Sequence, residues 1–154
     1  LVVSVYKHIA FWVLVGFRRY IRLCNNTVKE ALMGLFNFLL GLKDVEVNGN
    51  MHVNTLQERF AENFGTQLRV YSKTSKGINT GKGARPADSK ATLASVSIDS
   101  VKVSSMTIKK NNTVGEIEDQ FAKKMGIGIQ IASPDGKKLA PNNIKLKDVA
   151  KEMS

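Results

Sequence analysis

A sixteen-residue run, Leu56–Tyr71, occurs a second time in degenerate form as Ile117–Ala132. The offset between the two copies is 61 residues, counted from Leu56 to Ile117. Seven apolar or glycine positions match at that offset: Leu56, Phe60, Ala61, Phe64, Gly65, Leu68 and Val70 align with Ile117, Phe121, Ala122, Met125, Gly126, Ile129 and Ile131. An internal repeat fixes the structural unit before its parts are assigned, so this match constrains the fold more than any local propensity.

The first copy is predicted to contain a strand, a helix and a second strand. Asp44–Val47 alternates apolar and polar residues, as a strand does. Thr55 and Glu58 have the spacing of a capping box, which predicts a helix start, and Gly65 suits its end. Gln67–Ser72 then alternates like a half-buried strand.

The second copy is predicted to repeat this order with a longer helix. Val101–Lys109 is the expected partner strand. Thr113 and Glu116 form a capping box about one turn earlier than the aligned position, which predicts the added length. Ile127–Ile131 alternates as a strand, and Lys137–Ala140 is expected to return as a short strand after a turn.

The fold class that follows is α+β, with two tandem β-α-β-β repeats, each carrying one helix packed on a small sheet. A ferredoxin-like βαββαβ sandwich is the alternative. We expect an N-terminal segment at 1–42, a first repeat at 43–98 and a second repeat at 99–154. Repeats of this size bury too little surface to be stable alone, so we expect them to pack together.

The stretch MTIKKNNTVGEIEDQF, followed by IQIASPDGKKLAPNNIKLKDV, spans Met106–Val149 and resembles the ubiquitin-like β-grasp family. The resemblance lies in the order of strand, helix, strand, tight turn, GKKL and a short LKDV turn. It implies one helix on a mixed sheet and a role in protein–protein recognition. The chain departs from the family in having one clear strand before each helix instead of a hairpin. It also has no terminal Gly-Gly, so conjugation is not expected.

Residues 1–42 form an apolar and basic segment that we predict to be helical. The apolar run Ile9–Phe17 is shorter than the roughly 20 residues that span a bilayer. Met33 opens MGLFNFLLGL, which resembles the starts of many small bacterial proteins, so residues 1–32 are interpreted as sequence upstream of a natural start. The alternative is association of residues 1–42 with a membrane surface.

Charge and cysteine content narrow the function classes. The net charge is +10, of which residues 1–32 hold +4 through five cations and one acid, leaving +6 for the rest. Cys24 is the only cysteine, and His8 and His52 are the only histidines, which excludes an internal disulfide and a zinc-ligand cluster. A single cysteine fits a reducing compartment, and we expect the bacterial cytoplasm.

The loop 73–85 is the main difference between the copies. Ala87, Leu93 and Val96 match Ala140, Leu146 and Val149 at an offset of 53 residues, so the first copy has eight extra residues. The loop contains glycines and cations and no acid, a composition that suits phosphate binding. A flexible hairpin tip is nevertheless the favoured interpretation of this loop, with phosphate binding as the alternative. The candidate binding residues are Lys73, Lys76, Lys82, Arg85 and the neighbouring Tyr71.

The leading functional hypothesis is a non-catalytic interaction module that binds an unknown protein through a sheet edge or through the loop 73–85. The alternatives are binding of nucleic acid or another polyanion, and membrane contact through residues 1–42. No catalytic residue, metal ligand or cofactor is predicted, because the adjacent acids Glu118 and Asp119 are assigned to the solvent face of a helix. Further candidate polyanion contacts are Lys109, Lys110, Lys137 and Lys138.

Overall fold

Four short strands form two antiparallel pairs in the computed structural model, which describes residues 43–154. Strand β1 (Val45–Val47) pairs with β3 (Met106–Ile108). Strand β2 (Gln67–Val70) pairs with β4 (Ile129–Ala132). Each pair therefore joins one strand from the first half of this region, residues 43–98, to one from the second half, residues 99–154. The predictions made for residues 1–42 lie outside the described residues.

Helical elements alternate with the strands. They are α1 (Val53–Phe64), α2 (Leu93–Val96), α3 (Val114–Gln120), a π-helical turn (Phe121–Met125) and α4 (Leu146–Glu152). The described region is thus a mixed α+β fold with two small two-stranded antiparallel sheets, and it belongs to one compact unit.

Helix α1 forms because its apolar residues recur at helical spacing and face the core. Val53, Leu56, Phe60 and Phe64 are buried on one side of it. The rings of Phe60 and Phe64 meet edge to face, with centroids 5.1 Å apart. Gly65 ends the helix in the left-handed conformation, with φ of 68°, as the sequence predicted. Both phenylalanines are therefore core residues.

The second helical segment buries the aligned positions Val114, Ile117, Phe121 and Met125. Its last turn is π-helical, and Gly126 ends it with φ of 64°. It starts and ends 61 residues after α1, so the prediction of a longer second helix is wrong. The capping box at Thr113 begins this helix at Val114, the position that aligns with the first residue of α1, Val53.

The two helix starts differ in chemistry. Thr113 and Glu116 form the predicted capping box, in which the Thr113 hydroxyl accepts from Glu116 N and the Glu116 carboxylate accepts from Thr113 N. The capping box predicted at Thr55 is wrong. Helix α1 begins one turn earlier, at Val53, because Val53 N donates to Ala91 O and Asn54 N donates to Ser89 O. These backbone acceptors satisfy the first amides of α1 without a side-chain cap.

The strands are shorter than predicted. The expected strand Val101–Lys109 is reduced to Met106–Ile108, and Lys137–Ala140 contributes only an isolated bridge between Leu139 and Ala132. The last element of each half is a helix, α2 or α4, so each half runs β-α-β-α rather than the predicted β-α-β-β. The region also differs from a β-grasp arrangement in pairing its named strands across the halves.

Backbone hydrogen bonds recur in the two halves at the offsets of 61 and 53 residues. In each matched pair of bonds, the donor and the acceptor of one bond align with the donor and the acceptor of the other. The matched bonds are Val53 N to Ala91 O with Val114 N to Ile144 O, Leu93 N to Met51 O with Leu146 N to Asn112 O, Ala87 N to Val70 O with Ala140 N to Ile131 O, and Ser72 N to Arg85 O with Ser133 N to Lys138 O.

Candidate functional site

The chain that follows β2 turns back and runs along the outer edge of this strand. Ser72 N donates to Arg85 O at 2.8 Å, and Ala87 N donates to Val70 O at 2.9 Å. Residues 85–87 therefore cover the edge of β2 only near its C-terminal end. Farther along the same edge, the Gln57 side chain reaches over from α1, and its Nε2 donates to Leu68 O at 2.9 Å.

A cleft of about 440 Å³ opens between Gln57 and the returning chain. We call it the edge cleft. It is a half-open cleft at the protein surface and not an enclosed cavity. The lining residues are Gln57, Arg69, Val70, Tyr71, Gly81, Ala84, Pro86 and Ala87.

Arg69, on β2, and Tyr71, directly after it, contribute polar side chains to the edge cleft. Both are half-buried and alternate with Leu68 and Val70, which face the core. The Tyr71 hydroxyl donates to Gln130 Oε1 at 2.6 Å, and Arg69 Nη2 donates to Gly136 O. These bonds fix the two side chains across the outer face of the β2–β4 sheet.

The Arg69 guanidinium has no carboxylate partner among the described residues. The ion pairs found between residues 43 and 154 involve Lys73, Lys123 and Lys137 only. A guanidinium carries five N–H donors and suits a carboxylate or a phosphate geometrically. Arg69 was not among the predicted site residues. Its alternation with Tyr71 on one face of β2 was the signal in the sequence.

The predicted basic residues do not converge on one point. Lys73 Nζ lies 2.8 Å from Asp99 Oδ1, in an ion pair whose aspartate is almost fully exposed. Lys76, Lys82 and Arg85 are exposed along the loop. Gly81 and Ala84, which flank Lys82, both line the edge cleft. The loop therefore brings positive charge to the rim of the cleft, while its floor is made by β2.

The loop 73–85 is organised by its own hydrogen bonds. Lys76 N donates to Thr74 Oγ1, and Gly77 N donates to Thr74 O. Gly81 N donates to Asn79 Oδ1, and Ala84 N donates to Gly81 O. These four amides are already used as donors. The predicted phosphate cradle therefore cannot draw on them without rearrangement of the loop.

The loop also packs on β4 at a point that only glycine permits without movement. A Cβ atom on Gly128 would lie 2.7 Å from Ile78 Cγ2 and 2.8 Å from Thr80 Cγ2. The aligned position in the first half is Gln67, whose side-chain Nε2 donates to Pro134 O in the shorter turn. The missing side chain at Gly128 thus accommodates the longer loop.

The second half has a carboxylate where the edge cleft has Gln57. Glu118 aligns with Gln57, and its Oε1 accepts from Ile131 N at 3.1 Å on the outer edge of β4. Burial raises the pKa of the Glu118 carboxyl above its ordinary value. The hydrogen bond from Ile131 opposes this rise in pKa, and the nearby Asp119 carboxylate adds to it. The prediction that Glu118 lies wholly on the solvent face is corrected to a half-buried position.

Neither a candidate metal-binding cluster nor a candidate membrane-spanning helix lies within residues 43–154. No group of three or more His, Cys, Asp or Glu side chains in this region is placed to hold a metal ion. In the same part of the chain, no helix combines the length and apolar character needed to cross a membrane.

No protein family, curated protein or solved structure matches the chain.

Proposed function

We propose that residues 43–154 form a non-catalytic binding module whose edge cleft takes a short acidic segment of another protein. The observation that carries this proposal is Arg69, a half-buried guanidinium in the cleft lining with no carboxylate partner among the described residues. Hydrogen bonds between charged groups are the strong ones, so an acidic side chain in the cleft would gain more than a neutral one.

Charge around the edge cleft supports an acidic partner. Residues 67–86 carry Arg69, Lys73, Lys76, Lys82 and Arg85 and no aspartate or glutamate. Asp99 neutralises only Lys73 among them. Complementary charge of this kind raises association rates and selects partners by sign. We expect the module to act in the bacterial cytoplasm, in keeping with the single cysteine.

We also infer that the two halves are copies of one unit, joined so that each strand pairs with a strand of the other copy. The hydrogen bonds that recur at the offsets of 61 and 53 residues support this. The resemblance to β-grasp proteins stays a proposal about the helix-on-sheet plan of each copy, and the ferredoxin-like sandwich remains its alternative.

The direct test is binding of a labelled peptide that alternates Glu and Val, followed by fluorescence anisotropy. The matched control peptide has Gln in place of each Glu. We expect the acidic peptide to bind at low salt and the neutral peptide to bind at least tenfold more weakly, since each tenfold corresponds to about 1.4 kcal/mol. Equal binding of the two peptides, or no binding of either, would overturn the proposal.

A pair of arginine variants localises that binding. Arg69→Gln removes the guanidinium from the edge cleft, whereas Arg59→Gln removes an exposed guanidinium from α1, outside the cleft lining. Losing a hydrogen bond to a charged group costs about 1.5–3 kcal/mol, so Arg69→Gln should weaken binding roughly tenfold or more. Arg59→Gln should change it less than about twofold.

Nucleic-acid binding is the second candidate, favoured by the exposed cations Lys76, Lys82 and Arg85 on the loop. The salt dependence of binding and the effect of Arg69→Gln distinguish this candidate from binding of an acidic peptide. Phosphate contacts make the logarithm of affinity fall linearly with the logarithm of salt concentration. This candidate would be favoured if a single-stranded oligonucleotide bound with such a salt dependence and if Arg69→Gln left its affinity unchanged. Membrane contact through residues 1–42 stays a prediction.

A further inference from the structure

We propose that the carboxylate recognised by the edge cleft occupies the position that the Glu118 carboxylate occupies in the second half. This inference rests on the proposed function and names the contact that the partner makes. In effect, the second half supplies the anion from its own helix, and the first half takes it from another protein.

The backbone N–H groups of Val70 and Ile131 occupy equivalent positions in the two halves. Tyr71 N donates to Gly128 O at 2.9 Å, so these residues form a hydrogen-bonded pair of the β2–β4 ladder. Such pairs alternate with non-bonded ones in an antiparallel ladder, which turns the N–H and C=O of Val70 away from β4. The Val70 carbonyl does point outward, because it accepts from Ala87 N.

Ile131 stands in the same position on β4. Its carbonyl accepts from Ala140 N at 2.8 Å, as the Val70 carbonyl accepts from Ala87 N. Its N–H donates to Glu118 Oε1. The matching donor in the first half is the N–H of Val70, and Val70 lines the edge cleft. We therefore expect an acceptor bound in the cleft to reach the Val70 N–H, which is the counterpart of the amide that Glu118 binds in the other half.

In the first half, Gln57 stands at the position that Glu118 holds in the second half. Gln57 Nε2 donates to Leu68 O, so the side-chain amide of Gln57 already serves as a donor to the edge of β2. The guanidinium of Arg69 lines the same cleft, whereas the aligned residue on β4 is the neutral Gln130. The residues that line the edge cleft therefore include the positive charge of Arg69 and no carboxylate equivalent to that of Glu118. Both changes favour an incoming carboxylate.

The sharpest test supplies the carboxylate from within. Gln57→Glu places a carboxyl group at the position equivalent to Glu118, in the cleft that Val70 and Arg69 also line. We expect this variant to bind the acidic peptide at least tenfold more weakly than the natural chain, because its own carboxylate competes for the site. We also expect its Tm to equal or exceed that of the natural chain, which circular dichroism would follow.

Two matched variants separate occupation of the cleft from simple charge repulsion or unfolding. Arg59→Gln lowers the net charge by the same one unit at an exposed position of α1 outside the cleft lining, and should change peptide affinity less than about twofold, as expected for an exposed charge. Gln57→Ala removes the same amide without adding a charge, so it should bind the acidic peptide more tightly than Gln57→Glu does. Equal weakening in these two variants would mean that loss of the amide, and not the added carboxylate, lowers the affinity, and the inference would fail.

The source of the carboxylate is resolved by two further peptides. One has internal Glu residues and an amidated C-terminus, and the other has Gln residues and a free C-terminal carboxylate. We expect the first to bind and the second to fail, since Glu118 reaches its amide as a side chain.

The outcomes are distinct. If the natural chain does not bind the acidic peptide, the proposed function fails. If it binds and Gln57→Glu binds equally well, or if the free C-terminus alone is recognised, the further inference fails while the proposed function stands.

Discussion

The two halves of the described region keep the same buried positions and differ at the edges of the β2–β4 sheet. Leu56, Phe60 and Leu93 are fully buried, and so are the aligned Ile117, Phe121 and Leu146. The exchanges among these residues preserve apolar volume. At the sheet edges the exchanges alter charge, hydrogen-bond capacity and loop length instead. Packing therefore defines what the halves share, and recognition chemistry is to be sought where they differ.

The largest expected effect tests the shared core. Phe60→Ala and Phe121→Ala each remove a fully buried ring and should lower the free energy of unfolding by about 3–5 kcal/mol. Urea denaturation followed by circular dichroism measures both. If one substitution costs less than about 1 kcal/mol, far below the usual range for this change, the two positions are not equivalent core sites.

The next effect tests the contact between the long loop and β4. Gly128→Ala forces a methyl group against Ile78 and Thr80 and should cost about 1–3 kcal/mol, as overpacking does. The matched control is the same substitution in a chain lacking residues 76–83, which include both contacts. There the added methyl should be close to neutral in thermal denaturation. An equal cost in both chains would mean that the loop does not rest on Gly128.

A smaller effect distinguishes the two helix starts. Thr113→Ala removes a capping box and should cost about 1 kcal/mol of unfolding free energy. Thr55→Ala should change it by less than about 0.5 kcal/mol, because the Thr55 hydroxyl does not cap α1. Chemical denaturation of both variants under identical conditions gives the comparison. Equal costs would restore Thr55 as the cap.

The smallest effect is the pH dependence of Glu118. Because the pKa of its carboxyl is raised by burial, the folded chain holds this proton more tightly than the unfolded chain does. Its contribution to stability is therefore full below the ordinary pKa and is lost as pH rises through the raised pKa. Glu118→Gln should flatten that part of the curve of Tm against pH. Gln57→Ala, in the other half, should leave it unchanged.

Sequence reasoning succeeded where local chemistry alone decides the structure. The helical spacing of Phe60 and Phe64, Gly65 at the end of α1 and the Thr113 capping box all have causes within a few residues. The mixed α+β class followed from the alternation of these segments. Periodic apolar patterns carry this information directly.

The predictions failed where the deciding partner lies far along the chain. Helix α1 starts before Thr55 because residues 89–91 supply its acceptors, and no local pattern reports their position. The same holds for the edge cleft, since Arg69 becomes a site residue only when the chain returns at residues 85–87. Lys73, chosen for its charge, is paired with Asp99, which lies 26 positions away.

The pairing of β1 with β3 and of β2 with β4 makes the described region resemble a dimer whose subunits are covalently linked. A single half would present the edges of both its strands to the solvent, and a second copy would have to meet it by diffusion. Linking the halves converts that encounter into an intramolecular one, with an effective concentration set by the connecting chain. Stability of the assembled sheets is thereby independent of protein concentration.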